Sequence, residues 1–249
     1  MKMFSIFNCP PPPPLKAFTL AEVLITLGII GIVAVLTIPS LVTSYRKQET
    51  VASLKKFYSR LNQAFILYEA KNNIAIQDFN TNLDENEFLD EYIAPSFKII
   101  KHCKDREDCY DAENFVKVLD RKTHAYFYPK TVVLSDGMFL GIRKMGENTF
   151  MFNVDINGAK KPNLTGRDVF YFFFTSNYSS INKDIKRGLY AGNFSGLYYP
   201  HIYYSREQLL GISSGHERPC SKSNDNPTSD ACAAVIMLDG WKISNDYPW

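Results

Sequence analysis

Between Phe18 and Ile38 the chain reads FTLAEVLITLGIIGIVAVLTI, and no other stretch restricts its fold so severely. As a helix this run is roughly 31 Å long, enough to cross the hydrocarbon core of a bilayer. Its one ionisable side chain is Glu22. A secretory signal has a shorter apolar region, closed by a small-residue cleavage site. Here Pro39, Ser40 and Leu41 lead into a further helical pattern instead. A plain membrane anchor accounts for the length of the run and leaves Glu22 unexplained. A carboxylate inside such a segment costs about 3 kcal/mol or more unless a partner neutralises it. Glu22 is therefore a candidate functional residue.

The residues before the run, MKMFSIFNCPPPPPLKA, have a different character. The prolines Pro10 to Pro14 have no place in a helix and favour an extended polyproline form. They read as a spacer in a leader covering residues 1–17. After Pro39 the apolar positions become periodic: Val51, Leu54, Tyr58, Leu61, Phe65 and Tyr68 step by three or four, with Arg46, Lys47, Lys55, Lys56, Arg60 and Lys71 between them. This is an amphipathic helix with one stripe for a core. Continuity with the span predicts one helix from about Thr19 to about Lys71, within a helical region 18–73 whose membrane segment is 18–38.

From Ile74 the pattern changes. Thr131–Leu134 and Met138–Ile142 flank Ser135-Asp136-Gly137, which reads as a hairpin because Asp-Gly suits a tight turn. Thr149–Val154 is a further strand, closed by Asn157-Gly158, and Val169–Thr175 is another. Short strands joined by tight turns imply an antiparallel sheet. A long helix laid on such a sheet is an α+β arrangement, with residues 74–249 as the globular head. The aromatic residues, 18 Phe and 15 Tyr, suit half-buried sheet faces, and Tyr190 to Tyr204 is either more sheet or a contact surface.

Of the five cysteines, Cys9 lies in the leader. Cys103 and Cys109 are close in sequence, as are Cys220 and Cys232. Two local disulfides in an oxidising compartment fit this spacing. A cross-pairing such as Cys103 with Cys220 stays open, and a four-cysteine zinc site is the rival, though neither pair has the tight spacing usual for zinc. The charge evidence on topology is mixed. Lys2 and Lys16 precede the span and Arg46, Lys47, Lys55 and Lys56 follow it, which by count puts the C-terminal side in the cytoplasm. Long domains translocate largely regardless of charge, and the cysteines argue for an exported head. The chain carries 28 basic and 26 acidic residues, and the leader's two lysines make up the difference. No global basic excess points to nucleic acid.

The residues Lys16-Ala17-Phe18-Thr19-Leu20-Ala21-Glu22, followed by the apolar helix, resemble the prepilin-type N-terminus shared by type IV pilins and the pseudopilins of type II secretion systems. Val154–Asn163, Gly166–Phe170 and the ending Cys232–Trp249 also look like pseudopilin-type heads. The resemblance implies that a prepilin peptidase cuts between Ala17 and Phe18 and methylates the new amine. Alanine stands before the cut where the family usually has glycine. The resemblance further implies that Glu22 meets the N-terminal amine of a neighbouring subunit during assembly, so that two buried charges cancel across an interface. A contact of Glu22 with its own helix N-terminus is compatible with that. Gly28, Gly31 and Pro39 stand at positions the family commonly uses. The glycines are spaced for close helix packing, or are simply tolerated, and Pro39 is expected to kink or loosen the helix.

Some pseudopilin heads bind calcium. Asp155, Asn157 and Asp168 offer oxygen ligands near turns, although Asx side chains closing those turns are the commoner explanation. No other cofactor is implied. The expected partners are the prepilin peptidase, other pilin or pseudopilin subunits, a membrane assembly platform and lipid. The expected place is a bacterial inner membrane, crossed once, and then a filament. Two other functions fit the same residues: a minor or adhesive pilin whose head binds a ligand, a surface or DNA, and a membrane-tethered domain that never polymerises. Of the four histidines, at 102, 124, 201 and 216, His102 adjoins Cys103, but neighbours in sequence rarely achieve nucleophile–base geometry. Without a nucleophile elbow, phosphate loop or His-Glu-x-x-His, no enzyme is expected.

Overall fold

A computed structural model describes residues 19–104, 108–109, 130–176, 188–191, 204–213, 218–222 and 229–249. The fold is α+β: a long helix, α1 (Leu20–Asn72), and a six-stranded antiparallel sheet. The chain divides into two compact units, Met1–Tyr45 and Arg46–Trp249, so the head takes in the second half of α1.

In the first unit the large apolar side chains of α1 stand exposed from Leu20 to Val42. This is the one helix, among the described residues, that is long and apolar enough to cross a membrane. The helix does not stop at Pro39, and Thr37 and Thr43 turn their hydroxyls back onto the carbonyls of Val33 and Pro39. At its far end Asn73 takes the left-handed conformation (φ 52°) that commonly terminates helices.

In the second unit α1 buries Thr50, Leu54, Phe57, Leu61, Ala64 and Phe65. The predicted stripe is close to this one. Leu54, Leu61 and Phe65 are its centre, whereas Val51, Tyr58 and Tyr68 lie at its half-buried margin. Phe57 and Ala64 were outside the predicted stripe. They complete the buried face because i, i+3 and i+4 positions stack on one side of a helix.

The strands are β1 (Ile99–His102), β2 (Lys130–Leu134), β3 (Phe139–Lys144), β4 (Thr149–Asp155), β5 (Val169–Thr175) and β6 (Gly188–Ala191), ordered in space as in sequence. The predicted hairpin is β2–β3, where Gly137 adopts φ +85° in the turn. Sequence patterning passed over β1 and β6, which are the edge strands. β4 and β5 pair Phe152 with Phe172 and Phe150 with Phe174.

One sheet face carries Phe150, Phe152, Val154, Phe170, Phe172 and Phe174 into the main core with α1. Phe65 stacks on Phe174 with ring centroids 4.3 Å apart, and Phe88 stacks on Phe150 at 3.8 Å. Phe88 is delivered by a short helix, α2 (Glu85–Phe88), whose N-cap Asp84 forms a reciprocal capping box with Glu87. The other face of the central strands is buried as well, around Met151, Tyr171 and Phe173. The half-buried expectation for these aromatics therefore fails at the centre of the sheet, where β4 and β5 are buried along their full length.

Two further short helices, α3 (Arg206–Leu209) and α4 (Cys232–Leu238), follow among the described residues. Arg206 ties them to the C-terminal segment. It donates to both carboxylate oxygens of Asp239 and of Asp246 and to Ser244 Oγ. This hydrogen bonding holds the Asp246 carboxyl well below the usual carboxylate range. Beyond it, the Tyr247 hydroxyl donates to the Gly166 carbonyl at 2.5 Å. Burial pushes the Tyr247 phenol up.

Phe65 touches both the sheet and the rings around α2, so its removal should cost more than that of a peripheral aromatic. Phe65→Ala should destabilise the head by about 3–5 kcal/mol, read as a lower midpoint in denaturant unfolding of the detergent-solubilised chain. An unchanged midpoint would show that helix-on-sheet packing does not carry the head.

Candidate functional site

The apolar helix opens with a cap built from its own first turn. Thr19 stands just before α1, and Glu22 is the third residue within it. The Thr19 hydroxyl accepts from the Glu22 N–H at 3.2 Å, while Glu22 Oε2 accepts from the Thr19 N–H and the Thr19 hydroxyl, both at 2.8 Å. This reciprocal arrangement is a capping box, and Thr-x-x-Glu is its sequence signature. The earlier expectation of a contact between Glu22 and its own helix N-terminus thus has a definite form. Thr19 was missed as a functional position, although the signature was present in the sequence.

The cap uses one carboxylate oxygen. Glu22 Oε1 has no protein partner among the described residues. The side chain is exposed, in a segment with no buried residue from Leu20 to Val42. Next to hydrocarbon, such an oxygen would attract a cation or a donor. Ala17 and Phe18, the expected cleavage site, lie outside the described residues, as do Cys9 and Pro10 to Pro14.

Gly28 and Gly31 lie in the same helix, and a Cβ built on either meets nothing within 4 Å. Nothing among the described residues therefore requires glycine there. What the two residues offer is a low surface for another helix to approach.

The four cysteines of the head pair locally. Cys103 bonds Cys109 with Cα atoms 5.8 Å apart, and Cys220 bonds Cys232 at 4.6 Å. The cross-pairing and four-cysteine zinc alternatives give way to two short loops. His102 is exposed on β1, and its neighbour Cys103 is held in a disulfide, so the two form no nucleophile pair. His124, His201 and His216 lie outside the described residues. Tyr190 stacks on Phe173 at 5.7 Å, which makes it sheet core, and Tyr204 packs half-buried at the core's edge. Residues 192–203 between them lie outside the described residues.

The three oxygen-bearing residues of the head do come together. The Asn157 N–H donates to Asp155 Oδ1 at 3.2 Å, and its side-chain amide donates to Asp168 Oδ2 at 3.3 Å. Asp168 also accepts from the backbone N–H groups of Asn163 at 2.7 Å and Leu164 at 2.6 Å. The cluster thus closes the loop between β4 and β5, as Asx side chains do in turns. Gly158 belongs to the same turn. Its φ is +67°, and a Cβ there would stand 2.4 Å from the Gly137 carbonyl, so the β2–β3 and β4–β5 turns approach each other through a glycine. Among the described residues no group of three or more His, Cys, Asp or Glu side chains is placed to hold a metal.

A second set of contacts went unnoticed in the sequence. The C-terminal ring of Trp249 has Arg167 over it at 5.0 Å and Lys47 at 6.0 Å, and Lys55 lies over Trp241 at 5.8 Å. Its members are spread from residue 47 to residue 249, so no local pattern signals it.

Residues 40–249 match a family of unknown function (DUF6613), and the apolar segment before Pro39 falls outside the match. No curated protein and no solved structure matches the chain.

Asp168 supplies a pH test of the loop. Burial raises its carboxyl to about 6, against the opposing pull of the Leu164 and Asn163 N–H groups. A carboxyl whose folded value is raised contributes stability that is fully present below its unfolded value, near pH 4, and is lost as pH rises through about 6. The carboxyl carbon of Asp168 should titrate near pH 6 by NMR. The stability advantage of the wild type over Asp168→Asn should shrink as pH rises from 4 to 7. Titration near pH 4 would refute this account of the loop.

Proposed function

The chain belongs to that family, whose description assigns no activity, and we propose from the chain's own residues that it is a filament subunit of the type IV pilus or type II secretion pseudopilus kind. The carrying observation is the placement of Thr19 and Glu22 at the start of an apolar helical segment that has no buried residue from Leu20 to Val42.

On this reading a prepilin peptidase removes residues 1–17, leaving Phe18 with a free amine that is then methylated. The subunit waits in a bacterial inner membrane, held by residues 18–38, with its disulfide-bonded head on the exported side. Assembly, on a membrane platform, transfers the apolar helices from lipid to one another. That exchange needs no net gain of hydrophobic burial, because lipid tails and neighbouring helices are similarly apolar. Register then has to come from polar contacts and close packing. Glu22 supplies the polar contact: Oε2 keeps the capping box, and Oε1 takes the Phe18 amine of the next subunit. Gly28 and Gly31 supply the close approach. Neither carboxylate nor amine then remains uncompensated in an apolar medium.

The head supports the reading in a second way. Two disulfides closing short loops suit an oxidising compartment. The cluster Asp155, Asn157 and Asp168 is the place where calcium would bind if this head follows the calcium-binding pseudopilins. It would supply loop stability there and no chemistry.

Two measurements test the proposal. Co-expressed with its matching prepilin peptidase, the chain should lose the mass of residues 1–17 and gain one methyl group. An intact leader in the presence of active peptidase would count against assembly. Glu22→Ala should be cut normally, fold a normal head and enter filaments at least about tenfold less well, in line with an unpaired buried charge costing several kcal/mol. Normal incorporation of that variant would remove Glu22 from the mechanism.

A further inference from the structure

The charges of the head are sorted by sign to its two ends. Where α1 enters the head, Arg46, Lys47, Lys55, Lys56 and Arg60 stand against one acid, Glu49. After Asn72 the sign turns over. Asp78, Asp84, Glu85, Glu87, Asp90 and Glu91 all come before the next basic residue, Lys98.

Tertiary contacts keep the two groups apart. Lys47 and Arg167 lie over the ring of Trp249, Lys55 lies over Trp241, and the Lys222 ammonium donates to the Trp249 carbonyl at 2.9 Å. These cations gather beside the first head residues of α1. The acidic segment is held beside Tyr68, whose hydroxyl donates to Glu91 Oε1 and whose ring meets Phe79 at 5.0 Å. Residues 47 and 68 are about 31 Å apart along the helix. The sheet repeats the division. Arg167 follows β4, whereas the exposed Glu147 precedes it, beside Asn148, which accepts from the Thr81 hydroxyl at 2.8 Å.

Ion pairs inside the chain do not use these charges up. Lys56 and Arg60 share Asp136, and Lys144 turns its ammonium onto the Leu83 carbonyl. Among the described residues, Lys47 and Lys55 have no carboxylate partner, and the exposed Asp78, Asp90 and Glu147 have no cationic one. A surface kept merely soluble needs both signs interspersed. Charges gathered by sign repel within each end, and an end of the opposite sign relieves both. A second copy of the chain supplies that end. Trp241 and Trp249, both half-buried, give the basic end the aromatic centre that contact surfaces favour.

We propose that the basic end around Trp249 docks on the acidic end, around Asp78, Asp90 and Glu147, of a second copy of this chain. Such a head-to-tail contact leaves one end of each kind open, so further heads add to it. The inference rests on the filament reading, which points every copy the same way. Copies facing opposite ways would instead satisfy both ends in a closed pair. It adds a source of register in the head to the one at Glu22.

The test follows the mass of the full chain by sedimentation, in detergent with micelles in excess over protein. In roughly 20 mM salt the mass should grow with concentration beyond two copies, and in roughly 0.5 M salt, where exposed charges are screened, it should fall back towards one. One variant carries Lys47→Glu, Lys55→Glu and Lys222→Glu, and another Asp78→Lys, Asp90→Lys and Glu147→Lys. Each should associate about tenfold less well, because both of its ends then have the same sign. Mixing the two, or joining all six changes in one chain, should restore association. The salt dependence of the wild type remains a test where a variant misfolds. A wild type that stays single at low salt, association that ignores salt or both reversals, or a loss that neither combination restores overturns the proposal. A mass that stops at two copies overturns the head-to-tail arrangement. None of these failures touches leader cleavage or Glu22, on which the filament reading has its own tests. Normal head association in a chain whose leader is never cut would strike that reading alone.

Discussion

The head depends on one packing contact: the stripe of α1 around Phe57, Leu61 and Phe65 set against the aromatic face of β4 and β5. A six-stranded meander made of short strands needs a covered face to be stable. α1 covers it with rings in place of aliphatic chains. Phe65 touches Phe174 and Phe152 from the sheet and Phe79 and Phe88 from the segment that follows the helix. The short helix α2 and the turn around Phe79 bring those rings in, and the Asp84–Glu87 capping box holds the start of α2. Large buried rings contribute much of the stability of a domain of this size.

The same helix has two solvents to satisfy. Its second half meets protein along one stripe and water elsewhere, so its pattern is periodic. Its first half is apolar all round, which suits lipid or other helices and suits water badly. Thr19 and Glu22 satisfy the helix start within that apolar setting. This matters because the first N–H groups of a helix have no backbone partner. The C-terminal segment is the other place where the head is fastened, through Arg206 at its polar side and Tyr247 at its buried side. The positions of Trp241 and Trp249 follow from that fastening.

Much of the architecture was legible. The central strands β2 to β5 and the end of α1 were readable because turn residues and periodicity are local signals. The edge strands β1 and β6 were not. Ile99–His102 and Gly188–Ala191 are too short to show alternation, and they become strands because β2 and β5 offer them unpaired backbone. The burial of β4 and β5 on both faces was also hidden. Phe170 to Phe174 is an unbroken aromatic run, which fits a strand covered on one side or on two. Of the candidate site, Glu22 stood out by its charge, and Thr19 carried a signature that a search for charge alone passes over.

The sequence by itself determined the apolar segment, its lone carboxylate, the long helix, the α+β class and the two cysteine pairs as local candidates. Each of these is written in residues close together in the chain, where composition and spacing are sufficient. Only the tertiary structure decided that Cys103 joins Cys109 and Cys220 joins Cys232, that Asp168 is buried among the amides of its own loop, and that Lys47, Arg167 and Trp249 share one surface. The shared surface joins residues far apart, the disulfides close a cross-pairing that spacing left open, and the burial of Asp168 depends on what packs around its loop. Distance in space, set by packing against the core, is the only quantity that separates them.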